Sequence, residues 1–437
     1  MTIASPLRIW HPFTQEHIDP APLIITRAEG TYLYAEDGRR IIDAISSWWV
    51  NLHGHSHPHI TRAIARQAEV LDHVLLAGFS HPPVEQLTEK LRRLIPARLR
   101  HIFYSDDGST AVEVAVKMAV QYWRNKGQPQ KQGLVALEHA YHGDTAGAMS
   151  VSADSAFTQP FSRIRFPVHR VHSAYCLHCP AGKRRSDCQI ECVDSLRSCL
   201  RQNADSIAAV ILEPLLQGAG GMIVHPGEFL QRVRTLCDEH DILLIADEVL
   251  TGFGRCGQMF ACDIAGVVPD LMCLSKGITG GSLALGATLV TDDLHEQFIG
   301  SGKGFFHGHS YTGNPIACAA AIANLEIFET EDVFARIRRI TEQHEKQIAR
   351  FNSHPIVADT RHLGTMLAIE LKTCDAGYFS HVKLRLYKFF LEQGVLLRPL
   401  GNIIYILPPY CISTDDLNFV YDTIEDALVN ESRHGAT

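Results

Sequence analysis

The chain has 437 residues, of which 46% are hydrophobic and 20% are charged, with a formal net charge of −8. This is the composition of an ordinary globular protein with room for more than one domain, and the lack of a basic tract argues against nucleic-acid binding. No apolar run approaches the roughly 20 residues that cross a bilayer. Residues 1–10 lack the charged start and apolar core of a signal peptide. We therefore expect a cytoplasmic protein that binds neither nucleic acid nor membrane.

The N-terminal part predicts a hairpin, a helix and then a strand that leads into a second helix. Strand-like residues 31–34 and 40–43 flank Asp37-Gly38, which is a common turn dipeptide. Apolar residues recur at helical spacing after Pro58. Residues 101–105 form a short predicted strand, and a helix with a buried apolar face begins near Gly108.

The middle of the chain alternates strand-like apolar runs with helical segments, notably the helix predicted over 227–240. The strand-like runs are residues 134–137, 208–212, 242–246, 271–274 and 284–290. Such alternation predicts an α/β domain with a doubly wound, mostly parallel sheet.

The pattern changes at about Asn314, where a smaller α+β domain is predicted to begin. It consists of a long helix from Pro315 to about Arg350, a strand at 366–371, a helix around 383–393, strands at 395–398 and 403–407, and a final helix. We thus expect an N-terminal segment, 1–57, packed on a small C-terminal domain, 314–437. Between them lies a large domain, 58–313, that carries a cysteine-rich insertion at about 171–199.

Two polar residues, Asp247 and Lys276, each end an apolar strand and are 29 residues apart. Central strands of a covered parallel sheet deliver their end residues to a ligand crevice. An acid and an amine delivered together suit pyridoxal phosphate (PLP), since the lysine can form a Schiff base and the acid can keep the pyridine nitrogen protonated. Taken alone, Asp247 could equally be a helix cap or a structural ion pair, and Lys276 could be a polar strand exit.

Two further motifs lie at predicted strand ends. Gly108-Ser109-Thr110 opens a helix whose N-terminus could bind phosphate, although Ser and Gly there are also ordinary capping residues. Tyr141, which follows another strand, could stack on a flat ring.

In their order and spacing these motifs resemble the class III, fold type I, PLP-dependent aminotransferases over nearly the whole chain. Further residues that carry the resemblance are Glu213-Pro214, Gln217-Gly218-Ala219-Gly220-Gly221, Gly252-Phe253-Gly254-Arg255 and Ser275-Lys276-Gly277. The resemblance implies that Lys276 binds PLP covalently and that Asp247 pairs with the pyridine nitrogen. It also implies that Tyr141 stacks on the ring and that Gly108 and Ser109 bind the phosphate.

The resemblance extends to the segment His307-Gly308-His309-Ser310-Tyr311. Ser310 stands where the family usually has a threonine that binds the cofactor phosphate of the other subunit, so a homodimer is implied. Serine keeps the hydroxyl group that this role requires. Gly308 is expected to lie at the substrate.

The terminal segments resemble the family members that transfer an amino group from S-adenosylmethionine to 8-amino-7-oxononanoate in biotin biosynthesis. The residues that carry this resemblance are 10–15, Ser46-Ser47-Trp48-Trp49, 53–58 and 397–410. It implies that Arg398 holds the substrate carboxylate, which suits a guanidinium fork. It also implies that Trp48 and Phe13 contact substrate, although many members have Tyr in place of Phe13. Without the motif, Trp48 would ordinarily be interpreted as a core residue and Arg398 as a member of a surface ion pair.

Three alternatives to this activity stay open at this point. The chain could be another ω-aminotransferase of the same family. It could also use lysine in place of S-adenosylmethionine as the amino donor. A metal-sensing, non-catalytic homologue is the third, but such a protein would have no reason to keep both Lys276 and Asp247.

Four cysteines, Cys176, Cys179, Cys188 and Cys192, form a Cys-x2-Cys pair, eight intervening residues and a Cys-x3-Cys pair. This is metal-ligand spacing, and zinc or an iron–sulfur cluster could bind there. The surrounding residues have little apolar periodicity, so a metal could supply the order that a small core cannot. The alternative is four reduced thiols in a surface insertion, which form disulfides only after purification.

Overall fold

The computed structural model describes residues 9–15, 17–373 and 380–434. Its largest element is a seven-stranded sheet, here called the central sheet. In spatial order its strands are Leu99–Ser105, Gly286–Thr291, Leu271–Leu274, Leu243–Asp247, Ile207–Leu212, Gly133–Leu137 and His169–Val171. Only Gly286–Thr291 runs antiparallel to its neighbours. The predicted α/β fold with a mostly parallel sheet is therefore confirmed.

The central strands are apolar because helices cover both faces of the sheet. Every residue of Ile207–Leu212, Leu243–Asp247 and Leu271–Leu274 is buried, as expected for a doubly covered parallel sheet. The helices up to residue 296 are Pro58–Val70, Pro82–Leu94, Gly108–Asn125, Ala146–Val151, Asp194–Asn203, Gly227–Glu239, Ala261–Ala265 and Asp292–Glu296. No helix in the part of the chain described above is long and apolar enough to cross a membrane.

One smaller sheet joins the N-terminal and C-terminal parts of the chain, and another lies entirely in the C-terminal part. Ile25–Glu29, Tyr32–Ala35 and Arg40–Asp43 form an antiparallel set, and Val395–Leu396 pairs in parallel with its last strand. The second sheet consists of Val357–Leu363, Met366–Leu371 and Ile403–Ile406. The helices of this part are Pro315–Thr330, Val333–Asn352, His381–Glu392 and Thr414–His434. A two-stranded ribbon, Leu216–Gln217 with Ile223–Val224, lies in the large domain.

The long helix expected from Pro315 to about Arg350 is wrong, because two helices occupy this stretch. Glu331 is extended, with φ −117° and ψ 148°, and ends the first helix. Asp332 caps the second helix, since its side chain accepts a hydrogen bond from the backbone N–H of Ala335 at 3.1 Å. The apolar periodicity continues through the break between the two helices. In the sequence, only the capping aspartate indicates that the first helix ends there. The strand expected over 395–398 is also shorter and ends at Leu396.

The topology brings the carboxyl ends of four strands to one edge of the central sheet. Leu99–Ser105, Gly133–Leu137, Leu243–Asp247 and Leu271–Leu274 share one direction, so the loops that follow them meet there. This is the position at which open α/β sheets bind ligands. The sheet therefore places Asp106–Ser109, Tyr141, Asp247 and Lys276 around one crevice.

Candidate active site

The deepest feature of the crevice is a buried acid held by a buried histidine. Oδ2 of Asp247 lies 2.7 Å from Nδ1 of His142, and both side chains are almost fully buried. Oδ1 accepts a hydrogen bond from the backbone N–H of Val249 at 3.1 Å. A buried carboxylate needs such partners, and two donors fix its orientation toward the crevice.

Lys276 begins the turn after Leu271–Leu274 in a strained backbone conformation, with φ +46°. A non-glycine residue in this region costs on the order of 1 kcal/mol, and such strain is common at functional sites. Its Nζ lies 4.8 Å from the ring centroid of Trp49. Burial lowers the pKa of Lys276, while the carboxylates of Asp247 and Glu213 partly oppose this shift. The amine is therefore easier to deprotonate than an exposed lysine.

Tyr141 is held at the crevice from both ends. Its backbone N–H donates to Oε1 of Glu213 at 3.0 Å, and its hydroxyl donates to Oδ2 of Asp144 at 2.9 Å. Glu213 also accepts a hydrogen bond from the backbone N–H of Gly218 at 2.9 Å. Burial raises the pKa of Glu213 to about 7, with a further increase from nearby Asp247. Its carboxyl group thus connects the loop that carries Tyr141 to the loop at Gly218.

The N-terminus of the helix Gly108–Asn125 faces the same cavity. Asp107 caps this helix by accepting from the backbone N–H of Thr110 at 2.8 Å. A Cβ atom at Gly108 would lie 2.6 Å from Cγ1 of Val249, so the close approach of these two loops requires glycine. The Ser109 hydroxyl lies 2.8 Å from the Thr145 hydroxyl. Free N–H groups and hydroxyls at the start of a long helix form a phosphate site.

An inner cavity of about 690 Å³ collects these residues, and it is lined by Gly108, Ser109, Tyr141, His142, Asp247 and Lys276 among others. It offers an amine, a fixed carboxylate, an aromatic ring and a helix N-terminus around a single space. PLP needs each of these groups, for its aldehyde, ring nitrogen, ring face and phosphate respectively. Among the described residues, no lysine or arginine lies within salt-bridge distance of Asp247, so its carboxylate can pair with a protonated ring nitrogen. The residues present therefore fit this cofactor.

An outer cavity of about 820 Å³ adjoins the inner one, and Tyr141 and Lys276 line both. Phe13, Trp48 and Phe157 form its apolar wall. The rings of Phe13 and Trp48 meet edge to face, with centroids 5.2 Å apart. The structure thus places both predicted aromatic contacts at the entrance to Lys276, where a substrate would enter.

Arg398 lies behind this aromatic wall, beside a separate cavity of about 280 Å³. Its guanidinium carbon is 5.3 Å from the ring centroid of Trp48 and 5.6 Å from that of Tyr387. Nη2 donates to the backbone carbonyl of Phe13 at 2.8 Å. The buried Nε has no hydrogen-bond partner among the described residues. The predicted carboxylate anchor is therefore close to the substrate cavity, but the segment at Phe13 separates them.

The predicted residues Gly308 and Ser310 do not join the site within one chain. Both are exposed, and neither lines the inner or the outer cavity. Nearby, the Nζ ammonium group of Lys117 donates a hydrogen bond to Nδ1 of His307 at 2.9 Å. The predicted contribution of this segment to a second subunit stays a prediction.

The four clustered cysteines come together, as their spacing suggests. Cys176, Cys179, Cys188 and Cys192 all line one small cavity in the insertion. Burial, together with the other three thiols, raises the pKa of Cys192 to about 12. All four are free thiols. Across residues 9–15, 17–373 and 380–434, no three His, Cys, Asp or Glu side chains already have the arrangement of a metal site.

Two residues that hold the site were missed by sequence reasoning. His142 directly follows Tyr141 in the sequence, and its partner Asp247 lies 105 positions away. Glu113, on the helix that starts at Gly108, accepts hydrogen bonds from the backbone N–H of Gly147 at 2.6 Å and of Ala148 at 3.1 Å. It thereby holds the loop that follows Tyr141. A polar residue on the inner half of an amphipathic helix is the only sequence signal for Glu113.

Comparisons with known proteins agree with this site. The family model described as aminotransferase class III matches residues 13–428. An adenosylmethionine-8-amino-7-oxononanoate aminotransferase from Synechococcus elongatus is 44% identical over 96% of this chain and 98% of its own length. The enzyme of that name from Aquifex aeolicus is 42% identical over 96% and 95%, respectively.

Solved structures of transaminases are also similar to this chain over nearly its whole length. The structure of the enzyme of the same name from Methanocaldococcus jannaschii has a TM-score of 0.91 and 37% identity, covering 97% of both chains. A PLP-bound amine transaminase from an uncultivated Pseudomonas species has a TM-score of 0.92 and 33% identity, covering 97% of this chain and 98% of that one. The fold, the arrangement of the inner cavity and the full-length similarity lead to one conclusion: the chain belongs to the class III family of PLP-dependent aminotransferases.

Proposed function

We propose that the protein transfers an amino group from S-adenosylmethionine to 8-amino-7-oxononanoate and so forms 7,8-diaminononanoate in biotin biosynthesis. The observation that carries this proposal is the similarity, along nearly the whole chain, to enzymes named for this reaction. The joined inner and outer cavities support it, because a cofactor and an extended substrate can meet at Lys276.

PLP, when bound, supplies a protonated pyridine ring that withdraws electrons from the carbon that loses its proton. Asp247 would hold that ring in the inner cavity, because its carboxylate would stabilise the protonated nitrogen. His142 keeps this carboxylate in place, since its ring N–H donates to Oδ2. Without this donor a buried carboxylate could rotate or take up a proton itself.

Lys276 acts as the base at the reacting carbon. Its lowered pKa gives a larger neutral fraction near pH 7, and a neutral amine is required to accept a proton. The backbone strain at this residue and the contact with the Trp49 ring hold the amine at the junction of the two cavities. Tyr141, fixed by Glu213 and Asp144, covers the ring face and excludes water there.

The outer cavity is proposed to bind both substrates in turn. Phe13 and Trp48 offer an apolar wall for the aliphatic chain of the keto acid and for the adenosyl group. Arg398 carries a buried N–H donor, Nε, that is not otherwise used within the described residues, and this supports its role as the carboxylate anchor. The carboxylate reaches it only if the segment at Phe13 shifts, because this segment lies between them.

Assembly as a homodimer is part of the proposal. Exposed Gly308 and Ser310 would complete the substrate and phosphate sites of the partner subunit, and exposed Phe306 and Tyr311 beside them suit an interface. A cytoplasmic location stays a prediction from the sequence.

A second candidate is a broader amine transaminase, and specific solved structures favour it. Besides the Pseudomonas amine transaminase, an ω-transaminase from Thermomicrobium roseum has a TM-score of 0.91 at 30% identity, over 96% of both chains. The large apolar outer cavity would also accept simple amines. A related alternative keeps the same acceptor but takes lysine as donor.

One assay separates these candidates. The PLP-loaded enzyme is mixed with 8-amino-7-oxononanoate and either S-adenosylmethionine, lysine or a simple primary amine, and 7,8-diaminononanoate is measured by mass spectrometry. Of the three donors, we expect only S-adenosylmethionine to give product. If only lysine gives product, lysine is the donor, and efficient amination of simple ketones would favour the broader transaminase. An enzyme that retains no PLP would leave only a non-catalytic role.

A further inference from the structure

The cysteine-rich insertion, residues 171–199, contains a small cavity outside the aminotransferase site. Its volume is about 20 Å³, and Cys176, Cys179, Cys188 and Cys192 all line it. A space of this size holds about one water molecule or one ion. It is too small for an organic ligand, so a single ion is the occupant that its dimensions favour.

The charges around the cavity suit a cluster of thiolates. Lys183 and Arg185 belong to its lining, and Nη1 of Arg185 donates to Sγ of Cys188 at 3.7 Å. Four thiolates around one divalent cation carry a net charge of about −2. Two basic side chains at the same cavity would offset that charge.

The backbone of the insertion can adjust to a bound ion. Between the strand that ends at Val171 and the helix that begins at Asp194, it forms only turns and two short 3-10 helices, Arg185–Asp187 and Glu191–Val193. No sheet ladder holds the cysteines apart in this described segment. The sulfurs are not yet in ligand positions, so an ion would draw them inward by local turn movements.

We propose that these four thiols bind one thiophilic divalent cation, zinc, in a tetrahedral site. Binding replaces the four thiol protons, which leave to solvent, by four Zn–S bonds of about 2.3 Å, with no change in oxidation state. A four-iron cluster would need far more space than the cavity provides. The metal takes no part in amino transfer and orders a segment that has little core of its own.

The insertion is connected to the wall of the outer cavity, so the ion would also support the substrate site. The Tyr175 hydroxyl donates to Oε2 of Glu370 at 2.7 Å, and His178 lies 3.3 Å from the other oxygen of the same carboxylate. The Tyr175 ring meets His139 edge to face at 5.8 Å, and His139 lines the outer cavity. Cys176 and Cys179 would thus bind the ion directly next to Tyr175 and His178, which make these contacts.

The test uses the full-length holoenzyme, purified anaerobically with a reductant. Elemental analysis should find one zinc per chain. After zinc is removed with a chelator, added Co²⁺ should produce thiolate-to-cobalt absorption in the near ultraviolet and strong visible bands of a tetrahedral site. Cys179→Ser should lose most of the zinc and the cobalt signal. Cys199→Ser, a half-buried cysteine outside the cavity, is the matched control and should keep both.

The readouts do not depend on amino transfer, so this proposal can fail while the proposed function stands. Iron in place of zinc, or no metal together with free thiols or disulfides, would overturn it. So would a cobalt spectrum that Cys179→Ser leaves unchanged. If Cys179→Ser does not fold, the zinc content and cobalt titration of the wild-type enzyme still decide the question.

Discussion

Nδ1 of His142 lies 2.7 Å from Oδ2 of Asp247, and neither side chain reaches solvent to any significant extent. The pair joins the loop after Gly133–Leu137 to the end of Leu243–Asp247, two strands that flank Ile207–Leu212 in the central sheet. With Asp247 in its proposed role at the cofactor ring nitrogen, His142 would act on the reaction only through this carboxylate. It is a positioning residue.

Replacement of this histidine should therefore reduce turnover more than substrate binding. His142→Ala removes a donor and leaves Asp247 free to rotate, and a misplacement of this kind can lower kcat by up to roughly 100-fold. We expect KM for both substrates to change little and the visible absorbance of bound PLP to change its pH dependence. Steady-state kinetics and a spectrophotometric pH titration measure these effects.

The control for this prediction is a histidine–carboxylate pair of the same kind on the protein surface. Nε2 of His101 lies 2.9 Å from Oδ1 of Asp292, with 38% and 43% of the two side chains exposed. His101→Ala should leave kcat and the PLP spectrum unchanged. Equal effects of the two substitutions would show that His142 acts only through general stability.

Lys276 should be essential for turnover. Lys276→Ala removes the only amine described at the junction of the two cavities, and loss of such a proton-transfer group costs about 100-fold to 10,000-fold or more. Borohydride reduction followed by mass spectrometry should attach PLP covalently to wild-type protein and not to the variant. Lys276→Arg keeps a positive charge and should be equally inactive. Substantial turnover in either variant would refute the assignment.

The buried acid Glu248 should make stability depend on pH. Burial raises its pKa from the ordinary 4.5 to about 7, although hydrogen bonds from Thr251, Cys262 and Ala261 oppose the shift. Between these two values the folded state binds a proton that the unfolded state has lost. The free energy of unfolding therefore falls as pH rises through this window, by up to about 1.4 kcal/mol per pH unit for one group.

Denaturant unfolding of wild type and Glu248→Gln at several pH values from 4 to 8 measures this contribution. The change in unfolding free energy that comes from replacing a carboxyl group by an amide is the same at every pH. It therefore cancels when the pH dependence of the unfolding free energy is compared between wild type and variant. We expect the variant to gain stability relative to wild type as pH rises from about 4.5 to 7. Glu36→Gln, at an exposed glutamate, controls for the loss of one titratable charge. Parallel curves for wild type and Glu248→Gln would contradict the raised pKa.

Arg398 should determine affinity for the carboxylate of the keto acid. Arg398→Lys keeps the charge but loses the two-point geometry, and a hydrogen bond to a charged group is worth about 1.5–3 kcal/mol. We expect KM for 8-amino-7-oxononanoate to rise roughly 10-fold to 100-fold, with kcat changed much less. The methyl ester of this substrate should be a poor substrate of wild type and should respond little to the substitution.

The matched control for Arg398 is Arg66→Lys, at an exposed position on the helix Pro58–Val70, which should change neither constant. If Arg398→Lys raises KM equally for the acid and its ester, then Arg398 supports the wall formed by Phe13 and Trp48 and does not bind the carboxylate.

Local sequence was sufficient for much of the architecture. The runs 207–212, 243–246 and 271–274 are apolar throughout because both faces are covered, and the sequence predicts their strands to within one or two residues. It was not sufficient at Glu331, where an apolar pattern continues across a helix break that depends on one capping residue. Periodicity reports which residues face a core, and it does not report where a backbone leaves the helix.

Local sequence is sufficient to predict that Asp247, Lys276, Tyr141 and the Gly108 turn meet in one crevice, because each follows a strand or opens a helix. The side chains that hold these groups become apparent only in the folded chain. His142 reaches Asp247 across 105 positions, and Glu213 joins two loops. Such pairs carry no local signal, since their free energy arises only after the sheet has brought distant strand ends together and removed water from between them.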